Sequence, residues 1–379
     1  MLVLGIESSC DETAAAIVEN GRKILSNVVA SQILTHEKFG GVVPELASRE
    51  HLRKIVPVVD EACQQAGVKL HEVDALAVTE GPGLIGSLLV GVVYAKAVAQ
   101  VMRKPLVGVN HLEGHIHAVL LENEGRRLKG ESVEEPGFPN VTLVVSGGHT
   151  SLFRVERHDE KETEVLRFHY RRLGQTRDDA AGEAFDKVAK LLALGYPGGP
   201  VIDRLAPHGH AEAASFGPIK MKGNPLDCSF SGLKTAVLYR VRGTPLAAEA
   251  ESRRAWRKTR GNVSTDQLRQ QCSQETLDLI AGFQEAVVKD LIERTLNAAR
   301  MEAVRSIFVS GGVACNSLLR ERFGQASGQA RIKLFLPSPA LSTDNAAMIA
   351  AAGYFKLAAG DRAGPELTAR ASLPLGSEV

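Results

Sequence analysis

No C-x-x-C pair occurs among the five cysteines, Cys10, Cys63, Cys228, Cys272 and Cys315. An odd, scattered set excludes a disulfide frame and a cysteine-based zinc site, and it predicts a reducing compartment. Neither sign of charge is in excess: 45 Lys and Arg against 44 Asp and Glu leave a net charge of +1. No global field therefore draws the chain to nucleic acid or to a membrane, and any RNA contact needs local patches or a partner. Uninterrupted apolar runs are also missing. Leu84 to Val101 carries Ser87, Lys96 and Gln100 and reads as a buried helix, not a membrane span. Met1 to Ile6 has no basic n-region and reads as a strand. These absences predict a soluble, cytoplasmic protein with no membrane partner.

A further absence decides between two chemistries. His111-Leu112-Glu113-Gly114-His115 follows an apolar run, Pro105 to Asn110, that reads as a strand, and it opens a segment with helical spacing, Ile116 to Glu122. Histidines four apart on a helix point the same way and can reach one divalent cation; the plain alternative is a pair of surface histidines. His117, two residues on, faces away. The zinc-protease pattern H-E-x-x-H needs Glu directly after the first His as general base. Leu112 holds that position and Glu113 lies roughly 100° further round the helix, so a metalloprotease lacks its base. The third ligand must come from elsewhere. Asp344, in Ser342-Thr343-Asp344-Asn345, is the candidate: Thr343 can cap the following helix and leave Asp344 in its first turn. Otherwise it is a first-turn acid that complements the helix dipole. Two histidines and one carboxylate leave open positions and suit non-haem iron, zinc or manganese.

What is present is the composition of an ordinary globular protein, 44% hydrophobic and 23% charged over 379 residues, enough for two domains. Leu2–Glu7, Thr13–Val18 and Ile24–Ala30 read as a meander, and Pro44–Ala66 as a long helix stopped by Gly67. Ala75–Thr79 reads as a strand and Leu84–Met102 as a helix. The charged, Gly-rich stretch from Glu122 to Asn140 reads as a connector between domains. Val141–Val145, Ser151–Val155 and Glu164–Tyr170 then repeat the opening order of strand, small polar turn and strand. Predicted helices cover Gly182–Ala193, Val201–Pro207, Gly232–Val241, Ser264–Arg300 and Thr343–Lys356, with a further helix after Asn316. Strands cover Ile307–Val309 and Ile332–Leu336. Arg242 to Val263, with Arg253, Arg254, Arg257, Lys258 and Arg260, reads as a partly disordered or mobile insertion, either a solvated face or an RNA contact.

The turns holding Ser8, Ser9 and Thr13, and Ser146-Gly147-Gly148-His149-Thr150, let backbone N–H groups approach an anion while hydroxyls add donors. One at the head of each meander predicts two lobes closing on a phosphate. Asp186 and Asp203 suit ribose or adenine contacts; alternatively they are a helix-surface charge and a helix-start carboxylate. Asn316 is either a nucleotide contact or a simple N-cap.

These residues carry a resemblance. Gly5-Ile6-Glu7-Ser8-Ser9-Cys10-Asp11-Glu12-Thr13, Gly81-Pro82-Gly83, the His111/His115 pair and Ser146–Thr150 resemble the bacterial TsaD family, once labelled O-sialoglycoprotein endopeptidase. So do Gly182–Lys187, Tyr196-Pro197-Gly198-Gly199-Pro200, Ser229–Thr235, Ser310–Val313 and Thr343–Asn345. The match spans nearly the whole chain. It implies a two-lobed actin/Hsp70/sugar-kinase (ASKHA) α/β fold: residues 1–125 as first lobe, with 343–379 packing back onto it, and 126–342 as second lobe, with a basic insertion at 242–263. It further implies His111, His115 and Asp344 as ligands of one divalent metal, with iron favoured and zinc the alternative. Val145, Ser146, Gly147, Gly148, His149, Asp186, Gly199, Asp203 and Asn316 would bind the adenylated substrate. The implied reaction moves a threonylcarbamoyl group from threonylcarbamoyl-AMP to N6 of adenosine 37 in tRNAs reading codons that start with A, forming t6A. Asp11 and Glu12, in the first turn, can orient or deprotonate the incoming amine. Implied partners are tRNA, a TsaB-like paralogue and a TsaE-like ATPase. Leu112 stands where Met is usual, and the 242–263 segment is longer than the family pattern. Competing readings are a metalloprotease, an ATPase or sugar kinase of the same fold, and a subunit that only binds nucleotide.

Overall fold

The computed structural model describes residues 1–160, 165–217, 221–260 and 263–378. Strand β1 (Leu2–Glu7) is apolar up to its last residue and buried along nearly its whole length. It pairs antiparallel with β2 (Glu12–Glu19), which pairs antiparallel with β3 (Lys23–Ser31). A single turn, α1 (Ile33–His36), precedes α2 (Pro44–Ala66). Pro44 sits where a helix needs no N–H, and Gly67, at φ 66°, takes the left-handed conformation that closes the far end. Then come β4 (Ala75–Gly81), α3 (Ile85–Met102), β5 (Leu106–Asn110) and α4 (His111–Leu128). The sheet order is β3-β2-β1-β4-β5. α3 is long and apolar enough to cross a membrane, yet Leu88, Val92, Ala95 and Ala99 lie in the core against β1 and β4.

The second half repeats this plan. β6 (Asn140–Val145), β7 (Thr150–Glu160) and β8 (Val165–Gln175) form the meander. Helices α5 (Ala181–Leu191), α6 (Gly198–Leu205), α7 (Ser231–Val241), α8 (Pro245–Lys258), α9 (Thr265–Arg269) and α10 (Gln274–Met301) follow. β9 (Ser306–Ser310), α11 (Ser317–Ala330), β10 (Lys333–Phe335), α12 (Pro339–Ser342), α13 (Ala346–Ala358) and β11 (Ser377–Glu378) complete the chain. Its sheet, β10-β9-β6-β7-β8-β11, is the first sheet's order with one strand added at the edge. In both halves the leading strand pairs antiparallel with the next and parallel with the strand after the helices.

α13 returns to the first sheet. It is alanine-rich, and a Cβ at Gly5 of β1 would stand 2.3 Å from the Ala346 carbonyl oxygen, so the helix lies directly on the strand. The segment beyond it runs along the first sheet: Lys96 Nζ donates to the carbonyls of Pro365 and Leu367, and the Arg370 N–H to that of Glu80. β11 then pairs with β8 of the second sheet.

Several expectations need correction. The connector starts later, because α4 continues to Leu128, with Arg126 and Arg127 in its last turn where the helix dipole favours cations. The Ser264–Arg300 stretch is two helices: Ser273 breaks it by accepting from the Thr276 N–H as a new N-cap. Asn345, not Thr343, caps α13, accepting from the Met348 N–H. Glu164, the expected first residue of β8, lies outside the described residues. The largest correction concerns 242–263, of which residues 261–262 lie outside the described residues. Its core is the ordered helix α8, and Arg253 there is 1% exposed, donating to the carbonyls of Leu192 and Gln271 and pairing with Glu249. Arg253 serves the interior, closing off carbonyls at the ends of two helices.

Candidate metal and adenylate site

Asn110 caps α4, its side chain accepting from the Leu112 N–H, which makes His111 the first helical residue and sets His115 one turn on. Both rings are buried, at 3% and 0% exposure. Asp344 enters just before the cap of α13, held by Asn345, whose side-chain amide donates to the carbonyls of Leu341 and Thr343. Asp344 Oδ1 lies 3.2 Å from His115 Nε2 and 3.6 Å from His111 Nε2. One ligand atom from each residue falls within 4.8 Å of the others. Among the described residues, neither ring nitrogen of His115 is in a hydrogen bond. A fully buried imidazole whose Nε2 faces a carboxylate and a second imidazole without a hydrogen bond of good geometry is satisfied by a cation at their centre. The residues fit a divalent metal.

The electrostatics agree. Burial disfavours the His111 imidazolium, but the charges of Asp344 and Glu7 outweigh it and hold its pKa up at about 9. Burial lowers His115, and it lowers His149 to about 4 with help from His111 and His115. Burial opposes the charged forms of Asp344 and Glu7 too, yet His111 keeps both below the usual carboxylate range. At neutral pH the cluster therefore offers two ionised carboxylates and neutral His115 and His149.

Glu113, the nearest substitute for a protease base, faces elsewhere. Tyr170 Oη donates to its Oε1 at 3.2 Å, and Lys356 lies 3.8 Å from its Oε2. His117 also points away from the pair, as expected. It is buried against Phe168 and Phe355, with Nε2 3.1 Å from Tyr170 Oη.

A cleft of about 870 Å³ runs from the cluster between the two halves. Its lining includes Asp11, Glu12, His111, Ser146 to His149, Asp186, Gly199, Asp203, Asn316 and Asp344. Val145 is buried at the end of β6, just behind the turn. Nothing lies within 4 Å of where a Cβ would stand on Gly147 or Gly148, so that turn opens onto free space. A Cβ on Gly182 would come within 2.6 Å of the Ser146 carbonyl oxygen, so α5 starts hard against the turn. The first turn differs. Ser8 Oγ donates to the Ser87 carbonyl, Thr13 Oγ1 bonds His51 Nδ1, and Ser9 Oγ bonds His111 Nδ1. Its hydroxyls are engaged inside the protein, although Ser9, Cys10, Asp11 and Glu12 still line the cleft.

Asp186 Oδ1 accepts from the Gly198 N–H at 2.6 Å, at the start of α6, and burial raises its pKa to about 6. Asp203 lies late in α6, not at a helix start, and accepts from the N–H and hydroxyl of Ser317 at the head of α11. Asn316 is the N-cap of α11, accepting from the Leu319 N–H and donating to Gln284. Across the cleft mouth, the segment after α1 touches the second half: Glu37 pairs with Arg257 at 3.3 Å, and Lys190 Nζ donates to the Phe39 carbonyl.

One residue escaped the sequence reading. Glu7, fully buried, places Oε2 2.9 Å from His111 Nδ1. The signal was present: a carboxylate ending an otherwise apolar strand.

Two duplicated sheets around a cleft, with a His-His-carboxylate cluster at one end and an open glycine turn at the other, define a group-transfer enzyme of the actin/Hsp70/sugar-kinase fold. The HypF protein of T. kodakarensis shares that fold, with a TM-score of 0.53 at 14% identity over 94% of this chain and 47% of its own. The family model of the tRNA N6-adenosine threonylcarbamoyltransferases, TsaD, matches residues 23–351. The enzyme of that name from Koribacter versatilis is 53% identical over 99% of both chains, and that from Symbiobacterium thermophilum 50% identical over 99% of this chain and 97% of its own. The chain belongs to the TsaD family and is an acyltransferase; the protease and kinase readings are not favoured.

Proposed function

We propose that the cleft transfers a threonylcarbamoyl group from threonylcarbamoyl-AMP to N6 of adenosine 37 in tRNAs reading codons that start with A. The observation that carries this reading is that the His111–His115–Asp344 cluster, through His111 and Asp344, and the Gly147–Gly148 turn open onto one cavity. The turn from Val145 to His149 takes the adenylate phosphate, with the backbone N–H groups of Gly147 and Gly148 as donors. Asp186, Gly199, Asp203 and the start of α11 at Asn316 take the nucleoside. His111, His115 and Asp344 would hold a divalent metal, with open positions that suit iron, zinc or manganese; the family resemblance favours iron, with zinc the alternative. A metal held there would supply Lewis-acid stabilisation of the charge that develops on the carbonyl oxygen.

The exocyclic amine attacks the carbamoyl carbon. A C–N bond forms, the bond to the phosphate oxygen breaks, AMP leaves as an anion, and the amine gives up one proton. Asp11 and Glu12 orient the amine or take that proton. Burial and neighbouring Asp11 push the Glu12 carboxyl well above the usual carboxylate range.

Two partners complete the reading. Leu52 and Val56 on α2, and Ile85, Leu89 and Val93 on α3, are exposed apolar side chains at four-residue spacing on touching helices. This face receives a TsaB-like paralogue, and a TsaE-like ATPase joins the complex. The protein works in the cytoplasm, a reading that a tRNA substrate and five free thiols support. The test is reconstitution: protein, partners, threonylcarbamoyl-AMP and tRNA, read by nucleoside mass spectrometry. Unmodified adenosine 37 alongside a working family control overturns the proposal.

A further inference from the structure

Every polar neighbour of Glu7 points a donor at it. Oε1 receives the Ser9 N–H at 2.5 Å, and Oε2 receives Thr79 Oγ1 at 2.7 Å. The remaining contact on Oε2 is His111 Nδ1 at 2.9 Å. Ser9 Oγ stands 3.2 Å from the same nitrogen. An ionised carboxylate has acceptors only, so it satisfies all three donors when Nδ1 carries hydrogen. Without a cation the ring carries hydrogen on both nitrogens; a cation displaces the one on Nε2, the nitrogen that faces Asp344 at 3.6 Å, and Nδ1 keeps the hydrogen that Glu7 accepts. Glu7 and Thr79 are fully buried, so no solvent molecule offers the ring an alternative partner. Glu7 ends β1, Thr79 lies in β4 and His111 opens α4, so the network also fixes the helix start against the sheet.

We infer that Glu7 is the positioning residue of the metal site, holding His111 as the Nδ1–H tautomer with Nε2 presented to the cation. This rests on the metal-site reading above. Glu7 touches neither substrate nor metal and acts through the ring. An acceptor behind a ligating histidine also raises its basicity, and loss of such an acceptor costs roughly 10- to 100-fold in metal affinity. Gln at this position fails for a specific reason. Its NH2 group must face either the Ser9 N–H or the donors on the other side. Facing His111, it donates to Nδ1 and drives the ring proton onto Nε2, where it blocks the metal.

The experiment compares chelator-stripped wild type, Glu7→Gln and Thr79→Val, titrated with Co²⁺ alone. Affinity comes from competition with a chromophoric chelator, and the exchangeable imidazole N–H resonances, shifted by bound Co²⁺, are recorded in H2O and D2O. Thermal melts of the metal-free proteins report the fold. The expected result is a roughly 10- to 100-fold loss of Co²⁺ affinity in Glu7→Gln at an unchanged melting profile, with one shifted N–H resonance lost or moved. Thr79→Val keeps the carboxylate, so affinity stays within about threefold while the same resonance moves. Equal affinity and unmoved resonances in Glu7→Gln overturn the inference alone. Should Glu7→Gln not fold, an unmoved resonance in Thr79→Val overturns it. No Co²⁺ bound by wild type overturns the metal-site reading and this inference together.

Discussion

Asp344 Oδ1 stands 3.2 Å from His115 Nε2, and the helix that follows Asp344 packs along the helix that carries His115. Two packed helices thus hold the ligands in place before any cation arrives. His115→Ala and Asp344→Ala are expected to lose stoichiometric metal, and with it acyl transfer, while keeping a native circular dichroism spectrum. Elemental analysis of chelator-free preparations checks this; metal retained in both variants would leave the cluster without a role.

The Asp186 carboxyl, raised by burial to about 6, supplies a pH signature. Below that value it is protonated and a poorer acceptor; above it the carboxylate accepts a ribose hydroxyl with a charge-assisted bond. Adenosine affinity should rise from pH 5 to 7.5 by roughly three- to tenfold, since such a bond contributes about 1 kcal/mol. In Asp186→Asn the slope should vanish. Calorimetric titration with adenosine, which has no group titrating in this window, measures both.

Gly182 meets the Ser146 carbonyl too closely for a side chain. Gly182→Ala forces the turn or the helix to shift, at an overpacking cost of about 1–3 kcal/mol. AMP binding should fall roughly tenfold with metal content unchanged. Equal AMP affinity would mean that the turn does not hold the phosphate.

On the α2/α3 face, Val93→Asp puts a charge among exposed apolar side chains without touching the core. The isolated protein should melt as wild type does but fail to co-elute with its paralogue in size-exclusion chromatography. Co-elution at wild-type affinity would move the docking surface elsewhere.

Arg253→Ala leaves the carbonyls of Leu192 and Gln271 without their donor and Glu249 without its cation, though Ser273 and Thr276 still donate to it. A loss of about 3–5 kcal/mol is expected by urea unfolding, as for other broken buried pairs. Arg254→Ala, on the exposed side of the same helix, should change stability by no more than about 0.5 kcal/mol.

What could be read ahead of the structure follows a physical divide. β1, α2 and α3 were legible because local pattern and burial agree: apolar residues where the core lies, Pro44 at the start and Gly67 at the end. The duplicated meander showed in the order of its elements. Arg253 was illegible because its charge reads as solvent-facing, and only the meeting of two helix ends makes its burial favourable. Asp344 was found by asking what two histidines lacked, yet the helix start was misplaced because Asn345 wins the cap over Thr343. Ser8 and Thr13 read as phosphate donors, since nothing local reveals that Ser87 and His51 occupy them.

The return of α13 onto β1 governs the order of events during synthesis. A core of the first half, built on Val3, Ala14, Val107 and Ala118, is closed by Ala346, Met348 and Ala350. A ribosome-bound chain that has emerged only through α4 leaves that surface uncovered, and His111 and His115 still wait for their carboxylate. Metal loading therefore belongs to the finished polypeptide. Stalled or clipped products that stop short of Asp344 carry the two histidines without the carboxylate that completes the three-ligand cluster.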